Sequence, residues 1–500
     1  MNRETLATLQ KIQTGGNKDL LSKLFVQPTD QLTGLMAYDL APVAGEYYPV
    51  LTPLRNRIPR VMGGFNIQAN WKVITGINTT NQRAGVSEGN RGGVIAQTVA
   101  DYFAAYRTIG LENFVTHEAD WASQGFADVK AMAVAQLLQA TMIREEMIDI
   151  GGNTTFELGV TPTPALASGT GGKIPGGASV SVICVALGPQ AYLDVAGHNN
   201  GISGQTFDPA MAQVPGMITR TNADGTSDTF GGGSAQKSAA ASVTTGAANS
   251  RITAIVDAVR GAWGYAWFAG TAGNEKLCAV TSTTKAVFDA IPTTGQLASS
   301  LPNQDCSTSH LDYDGLFVQA AKANSKAYWK TLPADSPLTS DGAGGIEELE
   351  EAFAAFYNLY RISPTIMLVS SQECVNITRK IIANSGAPLI RWAMDAERLA
   401  QGKIAAGVSI GGYLNKIMGV EVPIFVHPNL APGTIFFLTE SLPYPLPNTA
   451  YPFQKKLRAE YAQIDWPPKS RKFEYGVYFS GVLQHFAPFS MGVITNIANG

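Results

Sequence analysis

The sequence predicts an α+β fold in several parts, with one long helix and a β-rich insertion domain that divides the body. Three patterns predict it. Apolar and polar residues alternate over 65–73, apolar residues recur with helical period over 129–150, and Gly, Ala, Ser and Thr dominate 153–300. At 500 residues the chain exceeds one ordinary core, so two to four domains are expected. Only 15% of residues are charged, against about 25% in average chains. That fits a surface covered by neighbours, and fits equally a β-rich domain full of Thr, Ser and Gly.

Residues 1–62 read as an N-terminal arm. Leu6, Leu9, Ile12, Leu20, Leu21 and Leu24 suggest short amphipathic helices, and Pro28, Pro42, Pro49, Pro53 and Pro59 keep the rest extended. Such an arm has little of its own fold to pack on, and the apolar Tyr47-Tyr48 and Val50-Leu51 favour a neighbouring chain. Residues 63–123 hold a long β-hairpin with flanking strands. Phe65, Ile67, Ala69, Trp71 and Val73 alternate with Asn66, Gln68, Asn70 and Lys72, the tip at 76–93 carries five glycines, and a second extended run follows to about Val115. A hairpin of this length exposes two edges and two faces, so it needs a surface to lie on.

Residues 124–152 switch to helical period. Val129, Met132, Ala133, Ala140, Ile143, Met147 and Ile150 form a stripe widened by Val134, Leu137 and Leu138. Ser123 or Asp128 can cap the start, and Gly151-Gly152 stop it. The resulting rod is about 40 Å long. Residues 153–300 are the β-rich insertion. Val180, Val182 and Cys184 alternate with Ser179, Ser181 and Ile183, while 264–270 and 277–281 read as strands paired around Ala272-Gly273-Asn274. The tract 221–246 is low in hydrophobics and reads as a mobile surface loop.

Residues 301–345 return to the main body. A compact α+β or α/β domain spans 346–450, opening with a helix over 346–361 whose Ile346, Leu349, Phe353, Phe356, Tyr357 and Tyr360 share a face. A strand over 365–370, a helix over 371–384 and strands over 421–426 and 434–438 follow. The tail, 451–500, reads as extended strands with Tyr475, Val477 and Phe479 on one face.

The net charge of -3 argues against a dedicated duplex binder. Cys184, Cys278, Cys306 and Cys374 are scattered, with no CxxC spacing, and read as small buried residues in a reducing compartment. The start lacks an apolar signal core, and no run approaches the ~20 apolar residues of a membrane span. A soluble chain made in the cytoplasm is expected, with no membrane partner.

Chemistry-bearing motifs are sparse. Gly407-Val408-Ser409-Ile410-Gly411 matches the GxSxG string of a nucleophile elbow, which needs a strand before it and a helix after it; here a turn and another strand follow. His117, His198, His310, His427 and His485 are dispersed without metal-ligand spacing. Gly169-Thr170-Gly171-Gly172-Lys173 lacks phosphate-loop spacing and reads as a loop. Two basic clusters, Arg55, Arg57, Arg60 and Lys455, Lys456, Arg458, Lys469, Arg471, Lys472, fit a solvated face, contact between subunits or an inner surface facing DNA.

The order of parts resembles the tailed-bacteriophage major capsid protein of the Hong Kong 97-like fold, with its N-arm, E-loop, P-domain spine helix and A-domain. Three stretches carry the likeness. They are 127–152, ending Glu145-Glu146-Met147-Ile148-Asp149-Ile150-Gly151-Gly152; then 346–353 with 363–370; then 417–424 with 432–438. The resemblance implies a structural subunit, not an enzyme, that forms hexamers and pentamers of an icosahedral shell around double-stranded DNA. An encapsulin-like compartment shell and a serine hydrolase using Ser409 remain the alternatives. No catalytic, cofactor-binding or metal residue and no cofactor is expected. Candidate inter-subunit contacts are Tyr47, Tyr48, Arg55, Arg57, Arg60, Trp71, Arg83, Arg91, Glu145 and Glu146. The implied partners are copies of the chain, a separate scaffolding protein, a portal protein, decoration proteins and DNA held non-specifically on the inner face. The implied location is the virion, after assembly in the bacterial cytoplasm. With no charged scaffolding segment ahead of the arm, no proteolytic maturation of this chain is expected.

Overall fold

The computed structural model describes residues 51–77, 85–94, 97–123, 128–196, 212–246, 249–384, 410–443 and 451–498. The expected arm helices, the centre of the hairpin tip, Tyr47, Tyr48, Arg83, His198 and Ser409 lie outside them.

Period-two sequence becomes two long antiparallel hairpins. Gln68–Ile77 pairs with Gln97–Ala105, Trp71 opposite Tyr102. The second extended run is longer than this pairing, because it is shared between two sheets. At Tyr106 it leaves the first hairpin, and Arg107–Thr116 pairs instead with Lys472–His485. The Tyr106 amide donates to the Ile67 carbonyl at 2.9 Å. A Cβ at Gly64 would lie 2.6 Å from the Tyr106 hydroxyl oxygen, so the missing side chain is what admits the ring. Phe453–Asp465 pairs with the other side of Lys472–His485, and Arg60–Val61 runs parallel to Lys455-Lys456, giving a four-stranded sheet.

The long helix, Val129–Gly151, packs Ala133 and Leu137 on this sheet against Val115, Tyr475 and Val477. Asp128, one of the two expected caps, accepts from the Ala131 amide at 3.0 Å. Asp128→Ala is expected to cost about 1 kcal/mol of stability in a denaturant titration, the usual loss for an N-cap. The helix ends at Gly152 in an extended conformation (φ -59, ψ 141), not the left-handed one that favours glycine. The reason for glycine is space: a Cβ there would sit 2.3 Å from the Tyr313 carbonyl oxygen and 2.7 Å from the Ile148 side chain.

The insertion is built on a pair of sheets, with a separate two-stranded hairpin beside them. One orders Asn274–Thr281, Gly264–Thr271, Ser179–Leu187 and Ala241–Thr244; the other orders Lys285–Phe288, Ser250–Ile255 and Ala165–Ile174. Val180, Val182, Cys184, Trp267, Ile252 and Phe288 fill the space between them. The opposite face of the first sheet presents Val185, Leu187, Ala266 and Phe268 to the main core. The glycine tract at 169–173, expected as a loop, lies within the strand Ala165–Ile174. The tract 221–246, expected as a surface loop, holds the end of the hairpin Met217–Thr221 with Ser227–Gly231, then buried backbone at 231–235 and the strand Ala241–Thr244. Its low hydrophobicity reflects close backbone approach: a Cβ at Gly231 would meet the Cys306 and Thr308 carbonyl oxygens at 2.4 Å.

The last part is a six-stranded sheet, ordered Tyr328–Thr331, Gly492–Thr495, Ile435–Leu438, Ile366–Val369, Val420–Val426 and Gly412–Asn415. Ile366–Val369 and Ile435–Leu438 are buried at every residue, which is why both read as unbroken apolar runs. The helix Glu347–Tyr360 covers the sheet with Phe353 and Phe356, both packed edge-on to Phe437. Ser371–Asn384 forms the second helix.

Candidate assembly surface and the charge cluster at its root

The hairpin made by Gln68–Ile77 and Gln97–Ala105 is anchored by aromatic rings. Trp71 stacks on Tyr102 at 5.9 Å, and both meet the His485 ring edge-on, at 5.9 and 4.8 Å. Trp71 Nε1 donates to the His485 carbonyl oxygen at 2.8 Å. Burial drives the His485 imidazole down to about 3, so it is neutral here. Around this root, in the residues leading into the hairpin and along it, apolar side chains stand open. Phe65 and Ile67 are each 81% exposed and Phe103 is 71% exposed, with Val94 and Val99 also exposed. These are large apolar side chains left facing water in the protomer.

Residues 51–61 enter the body beside a buried charge cluster on the last turns of the long helix. Glu145 and Asp149 lie four residues apart on one helix face, with Glu146 beside them. Glu146 Oε1 accepts from the Leu54 amide at 2.9 Å, and Oε2 from the Arg55 amide at 2.6 Å. The His427 Nε2 lies 2.7 Å from Glu146 Oε1, while the Asn429 amide donates to His427 Nδ1 at 3.2 Å. Nδ1 is therefore the acceptor, and Nε2 carries the proton given to Glu146. Glu145 takes Arg55 Nε at 2.6 Å, Lys455 Nζ at 2.5 Å, Arg60 and the Tyr461 hydroxyl. Asp149 takes Lys455 Nζ at 2.5 Å and the Tyr313 hydroxyl at 2.5 Å. Two carboxylates, Glu145 and Asp149, thus face three cations, Arg55, Arg60 and Lys455. Burial alone would raise the Glu145 carboxyl, but Lys455 and Arg60 overcome it and hold it at about 2. For Asp149 burial wins over Lys455 and lifts the carboxyl to about 6.

The cluster relocates several expected contacts. Glu145 and Glu146 are wholly buried inside the protomer, so neither presents a surface to another chain. Arg55 and Arg60 are largely spent on Glu145, and Lys455, expected on a basic face, is buried with them. Arg57 is half-exposed, pairs with Glu440 at 3.2 Å and lies 4.2 Å from the Phe425 ring centre. Trp71 belongs to the hairpin root, and Arg91 is exposed beyond it. The long-range partners Asp149, Tyr313, His427 and Tyr461 were not legible as a site. The available signal was two carboxylates at helical spacing among Met147, Ile148 and Ile150, since charge amid apolar terminal turns implies burial with partners.

A second buried carboxyl sits at the start of Ser371–Asn384. Glu373 Oε1 accepts from the Gly433 amide at 3.1 Å and Asn376 Nδ2 at 3.3 Å, and its Oε2 has no hydrogen-bond partner among the described residues. Burial raises this carboxyl to about 7. A folded-state value above the unfolded one means the stabilisation is present below about 4.5 and lost as pH rises through about 7. Glu373→Gln should remove that loss, making the variant more stable than the parent at pH 8 by on the order of 2 kcal/mol and flattening its unfolding midpoint between pH 4.5 and 7.

The GxSxG string ends in Ile410-Gly411 and runs directly into the edge strand Gly412–Asn415, where a nucleophile elbow requires a helix. Among the described residues no group of His, Cys, Asp and Glu is placed to hold a metal ion, and no helix is long and apolar enough to cross a membrane.

No family model matches the sequence, and no curated protein matches it. Among solved structures, the chain is similar to a chain of the cyanophage A-1(L) capsid asymmetric unit, at 9% identity and a TM-score of 0.40, over 93% of this chain and 98% of that one. It is similar to a chain of the capsid of Myoviridae phage XM1, at 9% identity and a TM-score of 0.38, over 93% of this chain and 100% of that one. Similarity to the SrpI encapsulin complex from Synechococcus elongatus PCC 7942 spans 37% of this chain and 57% of that one, at 13% identity and a TM-score of 0.22.

Proposed function

We propose that the chain is a structural subunit that assembles with copies of itself, as hexamers and pentamers, into the icosahedral capsid of a tailed bacterial virus enclosing double-stranded DNA. The observation that carries this reading is the hairpin. It is rooted in the body by Trp71, Tyr102 and His485, yet Phe103 on it and Phe65 and Ile67 in the segment leading into it stand in water. Such a segment gains its burial only against another molecule. The charge cluster supports the same reading, because it fixes residues 54–60 firmly against the last turns of the long helix. A Hong Kong 97-like arrangement of arm, E-loop, spine helix and A-domain accommodates both features. A scaffolding protein, a portal protein and decoration proteins are the further partners this reading calls for.

Negative-stain electron microscopy of the purified protein is the test. Shells or rings are expected, and monodisperse monomers at high concentration would overturn the proposal. Double-stranded DNA inside particles recovered from infected cells separates a viral capsid from a compartment shell carrying cargo protein.

A further inference from the structure

We propose that Lys455 and Asp149 condense into an intrachain isopeptide bond, with Glu145 carrying the proton. The inference is independent of the shell reading and rests on how four side chains meet. Lys455 Nζ lies 2.5 Å from Asp149 Oδ1 and 2.6 Å from Oδ2, so the nucleophile is already against the carboxyl group it would attack. Glu145 Oε1 lies 2.5 Å from the same nitrogen, and the Tyr313 hydroxyl donates to Asp149 Oδ1 at 2.5 Å. Lys455 is 1% exposed and both carboxylates are wholly buried. The rings of Tyr313 and Phe479 flank Nζ, their centres at 5.5 and 5.7 Å.

Each group has a step. Asp149 Oδ2, 2.6 Å from Nζ, takes one proton from the Lys455 ammonium, which frees the nitrogen lone pair and leaves the carboxyl neutral. That lone pair forms the bond from Nζ to Asp149 Cγ. The carboxyl is disposed to react because burial favours its neutral form. The Tyr313 hydroxyl stabilises charge on Oδ1 as the tetrahedral centre forms. Glu145 takes the second proton from the now cationic nitrogen of the tetrahedral centre and passes it to Oδ2, the Cγ–Oδ2 bond breaks and one water departs with both protons. Overall an ammonium and a carboxylate become an amide and water, with no oxidant, reductant or net proton exchange. The driving force is desolvation: an ion pair held in a dry interior is costly, and the amide that replaces it is neutral. The bond would join residues 306 positions apart, tying the long helix to the tail strand Phe453–Asp465.

Peptide mapping of the full-length purified protein by mass spectrometry is the test. The peptides carrying Asp149 and Lys455 are expected as one branched species, lighter than their sum by one water. Their recovery as separate peptides at full mass overturns the proposal. In Glu145→Gln the two peptides are expected apart, and linkage undiminished in that variant overturns the role given to Glu145. The parent protein decides the main question, so the result does not depend on whether any variant folds.

Discussion

Glu146→Ala is expected to lower the unfolding free energy of the unassembled subunit by about 3–5 kcal/mol, since it strands several buried groups at once. Its carboxylate is the common acceptor for the Leu54 amide, the Arg55 amide and His427 Nε2. Truncation leaves all three donors without it in a region water does not reach. A buried donor left unsatisfied costs about 1–3 kcal/mol, and the groups come from two separate stretches of chain, 54–55 and 427. Glu146→Gln keeps one acceptor oxygen and turns an amide NH2 towards one of the donors, so an intermediate loss is expected. Urea unfolding followed by tryptophan fluorescence measures both. A Glu146→Ala midpoint equal to that of the parent would show that the cluster does not secure residues 54–55.

The largest effect on assembly is expected from charging the hairpin. Ile67→Asp combined with Phe103→Asp should abolish particle formation while changing subunit stability by less than about 0.5 kcal/mol, as surface substitutions do. Both side chains are mostly in water in the protomer, so the fold loses little. In a contact each would bury apolar area contributing about 1.5–3 kcal/mol, and aspartate reverses the sign by requiring an unpaired charge to be buried. Light scattering under conditions in which the parent assembles gives the readout. Normal particles from the double variant would remove the hairpin face from the assembly contact.

What could be read from the sequence followed from local chemistry. The long helix, its Asp128 cap, the helix at 371–384 and the buried strands at 366–369 and 435–438 each declare themselves by period, cap or composition within a few residues. What could not be read depends on partners far along the chain. Lys455 looks like its basic neighbours Lys456 and Arg458 until the sheet register sets it beside Arg60 and over the helix. The break at Tyr106 is equally invisible locally, because both strands it joins are β-formers and only their different partners separate them. Glycines misled in two directions. At 169–172 they lie within a strand, and at 231–233 they let backbones touch where a loop was expected.

The insertion's inner sheet has a consequence for how such a chain can change. Because Val185, Leu187, Ala266 and Phe268 belong to the body's core while Val180, Val182 and Trp267 belong to the insertion's own, the sheet is a wall common to both. The outer sheet, Lys285–Phe288 with Ser250–Ile255 and Ala165–Ile174, adds no residue to the body's apolar core and meets the body through polar contacts such as Lys285 with Asp335. Exchange by recombination is therefore tolerable for the outer leaflet and its loops, whereas the wall must be inherited together with the body it faces.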